Sequence, residues 1–312
     1  MSECLIICNP TAGHGAAERM LPDANRILTD LGIDFEIVQT ERPWHAAELA
    51  EDAAKKGAAT VVAMGGDGTA NEVLNGLMRA KNAGVDSCTL GIITVGRGND
   101  MAYGWSIPQD FEASCLTLVG GQRRMVDVGC IVGGLYPEGR YFGNGVGIGF
   151  DTIVGFEAAK LKHLSGFPGY LVAALKTISL YYRAPLTKVE TDGQTLTLPA
   201  LMVSVMNGQR MGGGFMMAPD GVPDDGQFDL CIVRGVSRAR MLALIVHFMK
   251  GTQYDQEPVT GLRARTVTVT AIEGILPAHA DGETLCTDAQ KLEITLLPQA
   301  IEILCQPAEA GP

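Results

Sequence analysis

The chain is short of positive charge. Its 312 residues hold 24 Lys and Arg against 35 Asp and Glu, a formal net charge of −11. A nucleic-acid binder needs a basic face to displace counterions, so that class is disfavoured. Strong, permanent adsorption to an anionic membrane is disfavoured on the same ground, while local and brief contact is not. Aromatics make up only 6%. The five histidines (His14, His45, His163, His247 and His279) show no metal spacing and no H-E-x-x-H, and there is no G-x-S-x-G elbow. Hydrolase chemistry by those routes has no support. No uncharged run is both long and apolar enough to span a bilayer, and the N-terminal MSECLIICNPTAG lacks the basic start of a secretory signal. The eight cysteines form no C-x-x-C pair and sit in apolar runs, as Cys8 does after Leu5-Ile6-Ile7. They read as buried free thiols in a reducing cytoplasm. Also missing are GxxxxGK[ST] and G-x-G-x-x-G, which disfavours Walker-type ATPases, protein kinases and Rossmann dehydrogenases.

What the chain does have is glycine and apolar periodicity. Hydrophobic residues account for 46%, and the 39 glycines cluster at a few loops. Apolar runs at 4–8, 35–39, 60–64 and 89–95 alternate with helical patterns over 15–32, 44–57 and 69–82. That order predicts a parallel sheet covered on both faces. Glycine-rich turns at 9–13, 65–69 and 96–100 each follow a strand, so they gather on the sheet edge where ligands of α/β proteins bind. Beyond about residue 125 the pattern changes to short β stretches at 125–132, 141–148, 186–198, 200–206, 228–234 and 265–271. Helical segments near 151–163, 167–183 and 237–250 interrupt them. This predicts a second, mainly antiparallel domain, a sandwich. The segment 291–305 reads as two more strands.

The strongest chemical signal is Gly65-Gly66-Asp67-Gly68-Thr69, followed by Asn71-Glu72, between a strand and a helix. Glycines let main-chain N–H groups approach an anion, and the helix points its positive end at the same place. An acid in that turn repels phosphate unless a metal lies between, so Asp67 implies a divalent cation. Gly96-Arg97-Gly98-Asn99-Asp100 and Asn9-Pro10-Thr11-Ala12-Gly13 are weaker alone. On one sheet edge the three make a triphosphate cradle.

These residues resemble the diacylglycerol kinase catalytic domain family, which includes soluble bacterial lipid kinases and sphingosine kinases. The resemblance runs on, in order, through Gly147-Ile148-Gly149-Phe150-Asp151, Ala218-Pro219, Asp224-Asp225-Gly226 and Asp281-Gly282-Glu283. It implies an NAD-kinase-like α/β ATP-binding domain over 1–125, with a returning tail from about 287 to 312. It also implies a β-sandwich lipid-substrate domain over 126–286, and a site in the cleft between the two. ATP would be held by Asn9, Pro10, Thr11, Gly13, Gly65, Gly66, Asp67, Gly68, Thr69, Asn71, Glu72, Gly96, Arg97, Gly98 and Asn99. Asp67, Asp100 and Asp127 would hold Mg²⁺ through waters. Asp281 resembles the general base, with Glu283 placing nucleotide or metal. Val222, Asp225 and Gln227 resemble a separate structural Mg²⁺ site, for which a plain polar turn is the competing reading. Arg97 replaces the family's usual Thr or Ser, and either binds phosphate as a charged fork or points to solvent.

The expected activity is transfer of the ATP γ-phosphate to a lipid hydroxyl, diacylglycerol first, with sphingoid bases, ceramides and phosphatidylglycerol behind it. NAD kinase, which shares GGDGT, and a non-catalytic lipid- or nucleotide-binding regulator are the alternatives. The implied partner is a lipid met in transient contact at a membrane surface, so the location is cytoplasmic with a peripheral fraction. A homodimer stays open. The apolar run 164–182 is either a lipid-access surface or sandwich core. Met211, Met216 and Met217 line either an acceptor pocket or the core.

Overall fold

The computed structural model describes residues 3–85, 88–96, 98–161, 167–180 and 183–306. It divides into two compact units, Met1–Val126 with Gln299–Pro312, and Asp127–Pro298.

In unit 1 the chain runs β1 (Cys4–Cys8), α1 (Ala12–Asp30), β2 (Phe35–Gln39), α2 (His45–Lys55), β3 (Thr60–Gly65), α3 (Asp67–Asn82), β4 (Thr89–Thr94), α4 (Asp100–Gly104) and α5 (Phe111–Gly120). The strands pair in parallel in the order β2-β1-β3-β4. Val61, Val62, Ala63 and Met64 of β3 are all fully buried, as expected of a central strand with helices on both faces. A buried side chain of that size contributes roughly 1.5–3 kcal/mol, so a charge at Val62 would break the sheet. Ile6, Cys8, Leu28, Met64 and Ile93 form the core against α1. The predicted helix over 15–32 is α1, whose first turn is irregular. Gly13, His14 and Gly15 are all left-handed, with φ of 59°, 56° and 79°.

β5 (Gln122–Gly133) leads into unit 2. There follow β6 (Tyr136–Phe142), β7 (Gly145–Gly149), α6 (Phe150–Ala159), α7 (Phe167–Leu180), β8 (Leu186–Thr191), β9 (Thr195–Met206), β10 (Arg210–Met211), β11 (Phe215–Met216), β12 (Phe228–Arg234), α8 (Arg238–Lys250), β13 (Val259–Ala264), β14 (Thr266–Ala271), β15 (Leu276–Ala280), β16 (Glu283–Ala289) and β17 (Lys291–Cys305). One antiparallel array runs β16-β15-β7-β9-β12-β13 and another β9-β8-β14-β17. β9 belongs to both: Thr195–Pro199 pair with β8 and Met202–Met206 with β7, a strand that turns a sandwich corner. Val146, Ile148, Val203, Val205, Phe228 and Ala278 fill the core between the layers.

Two element assignments change. The stretch 186–198 is a hairpin, β8 and the start of β9, because Asp192-Gly193 breaks it. The segment 291–305 is a single strand bent at Pro298-Gln299, where Gln299 has φ of 45°. Its first half alternates buried and exposed and pairs with β14. Its second half is nearly all buried, and Ile303 pairs in parallel with Leu90 of β4. The tail thus rejoins unit 1 at Gln299, while 287–298 stay with unit 2.

Candidate active site

In unit 1 the three glycine-rich turns do meet. A Cβ on Gly13 would lie 2.7 Å from the Val95 carbonyl, and one on Gly96 would lie 2.8 Å from the Gly66 Cα. The turns after β1, β3 and β4 are therefore in main-chain contact, which only glycine permits at these points. α3 starts at Asp67 behind Gly66, which has no side chain to cap it, so the positive end of the helix stands at the cradle. Asn9 closes its own turn, accepting from the Thr11 N–H (3.1 Å) and hydroxyl (2.8 Å). Asn99 is left-handed (φ 50°) and buried, and its Oδ1 has no protein partner.

Two carboxylates stand at this cradle. Asp67 Oδ1 accepts from the Met101 N–H at 3.0 Å. A Cβ on Gly98 would meet Asp67 Oδ2 at 3.1 Å and Asp100 Oδ2 at 3.8 Å, so both acids face the gap that Gly98 leaves. Two carboxylate oxygens close together beside a helix start suit Mg²⁺, which takes one or two protein carboxylates and fills its shell with water and phosphate. Among the described residues no three His, Cys, Asp or Glu are grouped as a closed metal cage.

Not every expected nucleotide contact lies here. Glu72 Oε2 accepts from the Ala46 N–H at the start of α2 (3.1 Å), which ties two helices together. Asn71 is fully buried and accepts from Asn75 through its side chain (3.2 Å) and carbonyl (2.8 Å). Arg97, expected at the phosphates, lies outside the described residues.

Unit 2 carries the other acids. Asp281 and Gly282 connect β15 to β16 with φ of 47° and 84°, the left-handed pair that a two-residue hairpin turn requires. Asp281 is buried, and its carboxylate accepts three main-chain N–H groups: Gly143 (2.8 Å), Asn144 (3.0 Å) and Gly145 (2.9 Å). Glu283 is exposed. Asp127 is fully buried, and its Oδ2 accepts from the Gly226 N–H at 2.7 Å, which braces the turn before β12.

That turn was also the expected structural metal site. Its side chain is already spoken for: Asp225 accepts from the Gln227 N–H (3.0 Å) and pairs with the Arg263 guanidinium, which also reaches Asp229 at 3.3 Å. Arg265 donates to the Gly226 carbonyl at 3.0 Å. One guanidinium, that of Arg263, thus already balances the Asp225 carboxylate, the one charged side chain among Val222, Asp225 and Gln227, as a polar turn would have it.

Several polar residues escaped the sequence reading. Asn207, buried, donates through Nδ2 to the carbonyls of Asp127 and Gly143, each at 2.9 Å. The Asn144 carbonyl accepts from the Asn207 and Gly208 N–H groups, each at 2.8 Å. Asp127 and Asp281 are thereby joined in one network. The signal available was the pair of Asn-Gly dipeptides at 144–145 and 207–208, which read only as turns. Next to it, Ser204, Gly147 and His279 lie in register across β9, β7 and β15. A Cβ on Gly147 would meet Asp151 Oδ2 at 2.3 Å and His279 Nε2 at 2.4 Å. Ser204 donates to Asp151 at 3.1 Å. Desolvation raises the Asp151 carboxyl to about 6 and lowers the His279 imidazole to about 4. Of this cluster the sequence marked Gly147-Ile148-Gly149-Phe150-Asp151, through the family resemblance, but not its meeting with Ser204 and His279.

Met217 is buried, and Met211 packs with it against Met206 and Phe248, so these methionines fill core. All eight cysteines are free, and burial pushes the Cys4 and Cys231 thiols up to about 12.

A parallel sheet with its glycine turns on one edge, joined to a β-sandwich, is the architecture of a class of two-domain kinases. Over 97% of both chains it matches the crystal structure of a diacylglycerol kinase from Bacillus anthracis, with a TM-score of 0.73 and 23% identity. An NAD kinase from Archaeoglobus fulgidus, solved in complex with ATP, shares the fold at a TM-score of 0.52 and 13% identity, covering 96% of this chain and 93% of that one. At the level of sequence, the diacylglycerol kinase catalytic domain matches residues 3–131, and the YegS C-terminal NAD kinase β-sandwich-like domain matches 144–305. The chain is 29% identical to a diacylglycerol kinase of Mycobacterium tuberculosis over 96% of its own length and 93% of that protein's. It is 28% identical to one of Bacillus subtilis, over 91% and 90%. The chain belongs to the diacylglycerol kinase family and is a kinase, which answers the regulator alternative. Among the described residues no helix is long and apolar enough to cross a membrane.

Proposed function

We propose that the chain transfers the γ-phosphate of ATP to a lipid hydroxyl with Mg²⁺, and that diacylglycerol is the acceptor. The observation that carries this reading is the gap at Gly98, where Asp67 and Asp100 converge beside the uncapped start of α3. Phosphoryl transfer needs positioning and neutralised charge more than covalent help. The main-chain N–H groups of 66–69 would hold phosphate oxygens, and the main-chain contact of Gly66 with Gly96 would keep the cradle from widening. Mg²⁺, held by Asp67 and Asp100, would supply the charge that lets these acids sit beside phosphate.

Asp281 enters as the acceptor of the hydroxyl proton. Its three N–H donors fix the carboxylate in one orientation, which favours a defined geometry, and they also spread its charge. Asp281→Asn separates these effects. The expected result is turnover lower by about a hundredfold or more with ATP binding retained, beside a lowered urea midpoint, because the amide offers one oxygen to three N–H donors. Retained turnover in the folded variant would pass the proton to another acid, Asp67 first.

The defining experiment is transfer from labelled ATP with Mg²⁺ to a panel of lipids in mixed micelles, with NAD in parallel, read by mass spectrometry. Diacylglycerol becoming phosphatidic acid is the expected outcome. Transfer to NAD alone would replace the lipid reading with NAD kinase.

A further inference from the structure

Charge and apolar exposure are unevenly distributed in unit 2. No Asp or Glu occurs between Glu157 and Glu190, while Lys160, Lys162, Lys176, Arg183 and Lys188 do. None occurs between Asp229 and Asp255, while Arg234, Arg238, Arg240 and Lys250 do. In a chain of net charge −11, these two acid-free stretches hold nine of the 24 lysines and arginines, of which Arg234 pairs with Glu257 and Lys188 with Glu190 beyond their ends. They contain α7 and α8. The two helices touch, and Arg238 Nε donates to the Ile178 carbonyl at 2.9 Å. Lys160 and Lys176 pair with Glu157, each at 2.5 Å, and that single acid is itself buried.

The outer faces of both helices are apolar. Val172, Leu175 and Leu180 of α7 are 42%, 43% and 60% exposed, and Leu242, Val246 and Met249 of α8 are 46%, 48% and 41% exposed. The spacing i, i+4, i+7 puts the α8 set on one stripe, and i, i+3 does so for Val172 and Leu175, with Leu180 exposed at the end of α7. A surface helix normally turns charges outward, as α2 does with Arg-paired Glu48 and Lys-paired Glu51. Here the inner face is apolar as well: Ala173, Ala174 and Ile178 of α7, and Met241, Leu244 and Phe248 of α8, are buried. Helices apolar inside and outside, with Lys176 on α7, Arg238, Arg240 and Lys250 on α8 and no acid within either, match an interfacial helix on an anionic bilayer.

A cavity identifies the occupant further. A space of about 630 Å³ opens where α7 ends, lined by Ile148, Phe150, Ile153, Leu180, Met202 and Ile275, with Arg183 among its walls. Its size lies in the range of about 300–1,000 Å³ that suits a small-molecule ligand, and its walls suit hydrocarbon. β7 and β15 run from it to the Asp281 turn: Ile148 pairs with Ala278, and Val146 with Ala280.

We propose that the paired outer faces of α7 and α8 dock on an anionic lipid bilayer, and that the cavity at the end of α7 takes an acyl chain from it. The idea rests on the lipid-kinase reading for its substrate, but its first test does not. Flotation with vesicles of phosphatidylcholine and phosphatidylglycerol measures docking without turnover. Wild-type protein is expected to float with mixed vesicles and to be released by salt and by pure phosphatidylcholine. Leu242→Glu with Val246→Glu is expected to reduce flotation at least tenfold, with the circular dichroism melt unchanged because both residues are exposed. Lys250→Glu, outside the hydrophobic contact, is expected to weaken it through charge alone. In the kinase assay the double variant should lose activity on vesicle lipid and keep it on a monomeric short-chain diacylglycerol. Equal flotation of wild type and double variant would overturn the proposal. So would no flotation by wild type, or light scattering showing a dimer that the double variant dissolves, which would make this face a self-association surface. A failed lipid-kinase reading would show differently, as flotation without transfer to any lipid.

Discussion

In unit 1 the cradle is built of main chain and two carboxylates, spaced by glycines that let three turns touch. In unit 2 the polar groups are side chains, and two buried carboxylates are tied to main chain: Asp127 to Gly226, and Asp281 to Gly143, Asn144 and Gly145. The first arrangement is fragile to added bulk and tolerant of side-chain change. The second is the reverse. A phosphate is the same in every nucleotide and can be met by backbone, whereas buried acids must be satisfied wherever they occur.

The comparison breaks most readily at Gly96. Gly96→Val places carbon against the Gly66 Cα, and a displacement on the order of an ångström at the reacting centre costs about a hundredfold in rate. Turnover should fall by at least that, with the far-ultraviolet spectrum unchanged. Retained turnover would mean that backbone contact does not shape the cradle. Asp127→Ala is the counterpart in unit 2. It leaves the buried Gly226 N–H without its acceptor and should lower stability by roughly 2–3 kcal/mol in urea. Asp127→Asn should recover part of this by keeping an oxygen there.

The Asp151–His279 cluster sharpens the contrast through pH. Asp151 titrates near 6 when folded and at 3.8 as a model carboxyl, so protonation favours the fold. Its stabilising effect is full below 3.8 and is lost as pH rises through 6. His279 titrates near 4 when folded and at 6.5 when free, so its neutral form favours the fold, and that effect is lost as pH falls from 6.5 through 4. Between pH 4 and 6 the two oppose each other. His279→Gln should make the protein more stable as pH drops from 7 to 5, and Asp151→Asn should make it less stable over the same range. Parallel urea midpoints for both variants would contradict the assignment. The smallest effect is expected at Arg263, a partly exposed ion-pair residue. Arg263→Met should cost no more than about 1 kcal/mol, and chelators should leave the melting temperature of the apoprotein unchanged.

How much of this was legible in the sequence differs between the units for the same physical reason. GGDGT and its two companion turns are local, and glycine has few other uses after a buried strand, so the cradle in unit 1 was readable residue by residue. The exceptions, Asn71 and Glu72, lie one helical turn further on, where neighbours that sequence does not show decide direction. In unit 2 the β character and the helices were readable, but the strand count was not: β13, β15 and β16 went unread, and 291–305 is one strand where two were expected. The partners of Asp127, Asp225 and Asp281 were not readable either, because they come from Gly226, Arg263 and Gly143–Gly145, distant in the chain. The family resemblance marked these acids as functional. It gave no sign that Arg263 would pair with the acid of the expected structural metal site.

The bend at Pro298-Gln299 has a consequence for synthesis. Gln299–Cys305 complete the sheet of unit 1 beside β4, yet they leave the ribosome after all of unit 2, which is one uninterrupted segment. Until then β4 is an open edge, with Leu90 and Ile93 awaiting cover. The sheet of unit 1 begins first and is completed last, so its edge at β4 stays open until the whole of unit 2 has been synthesised.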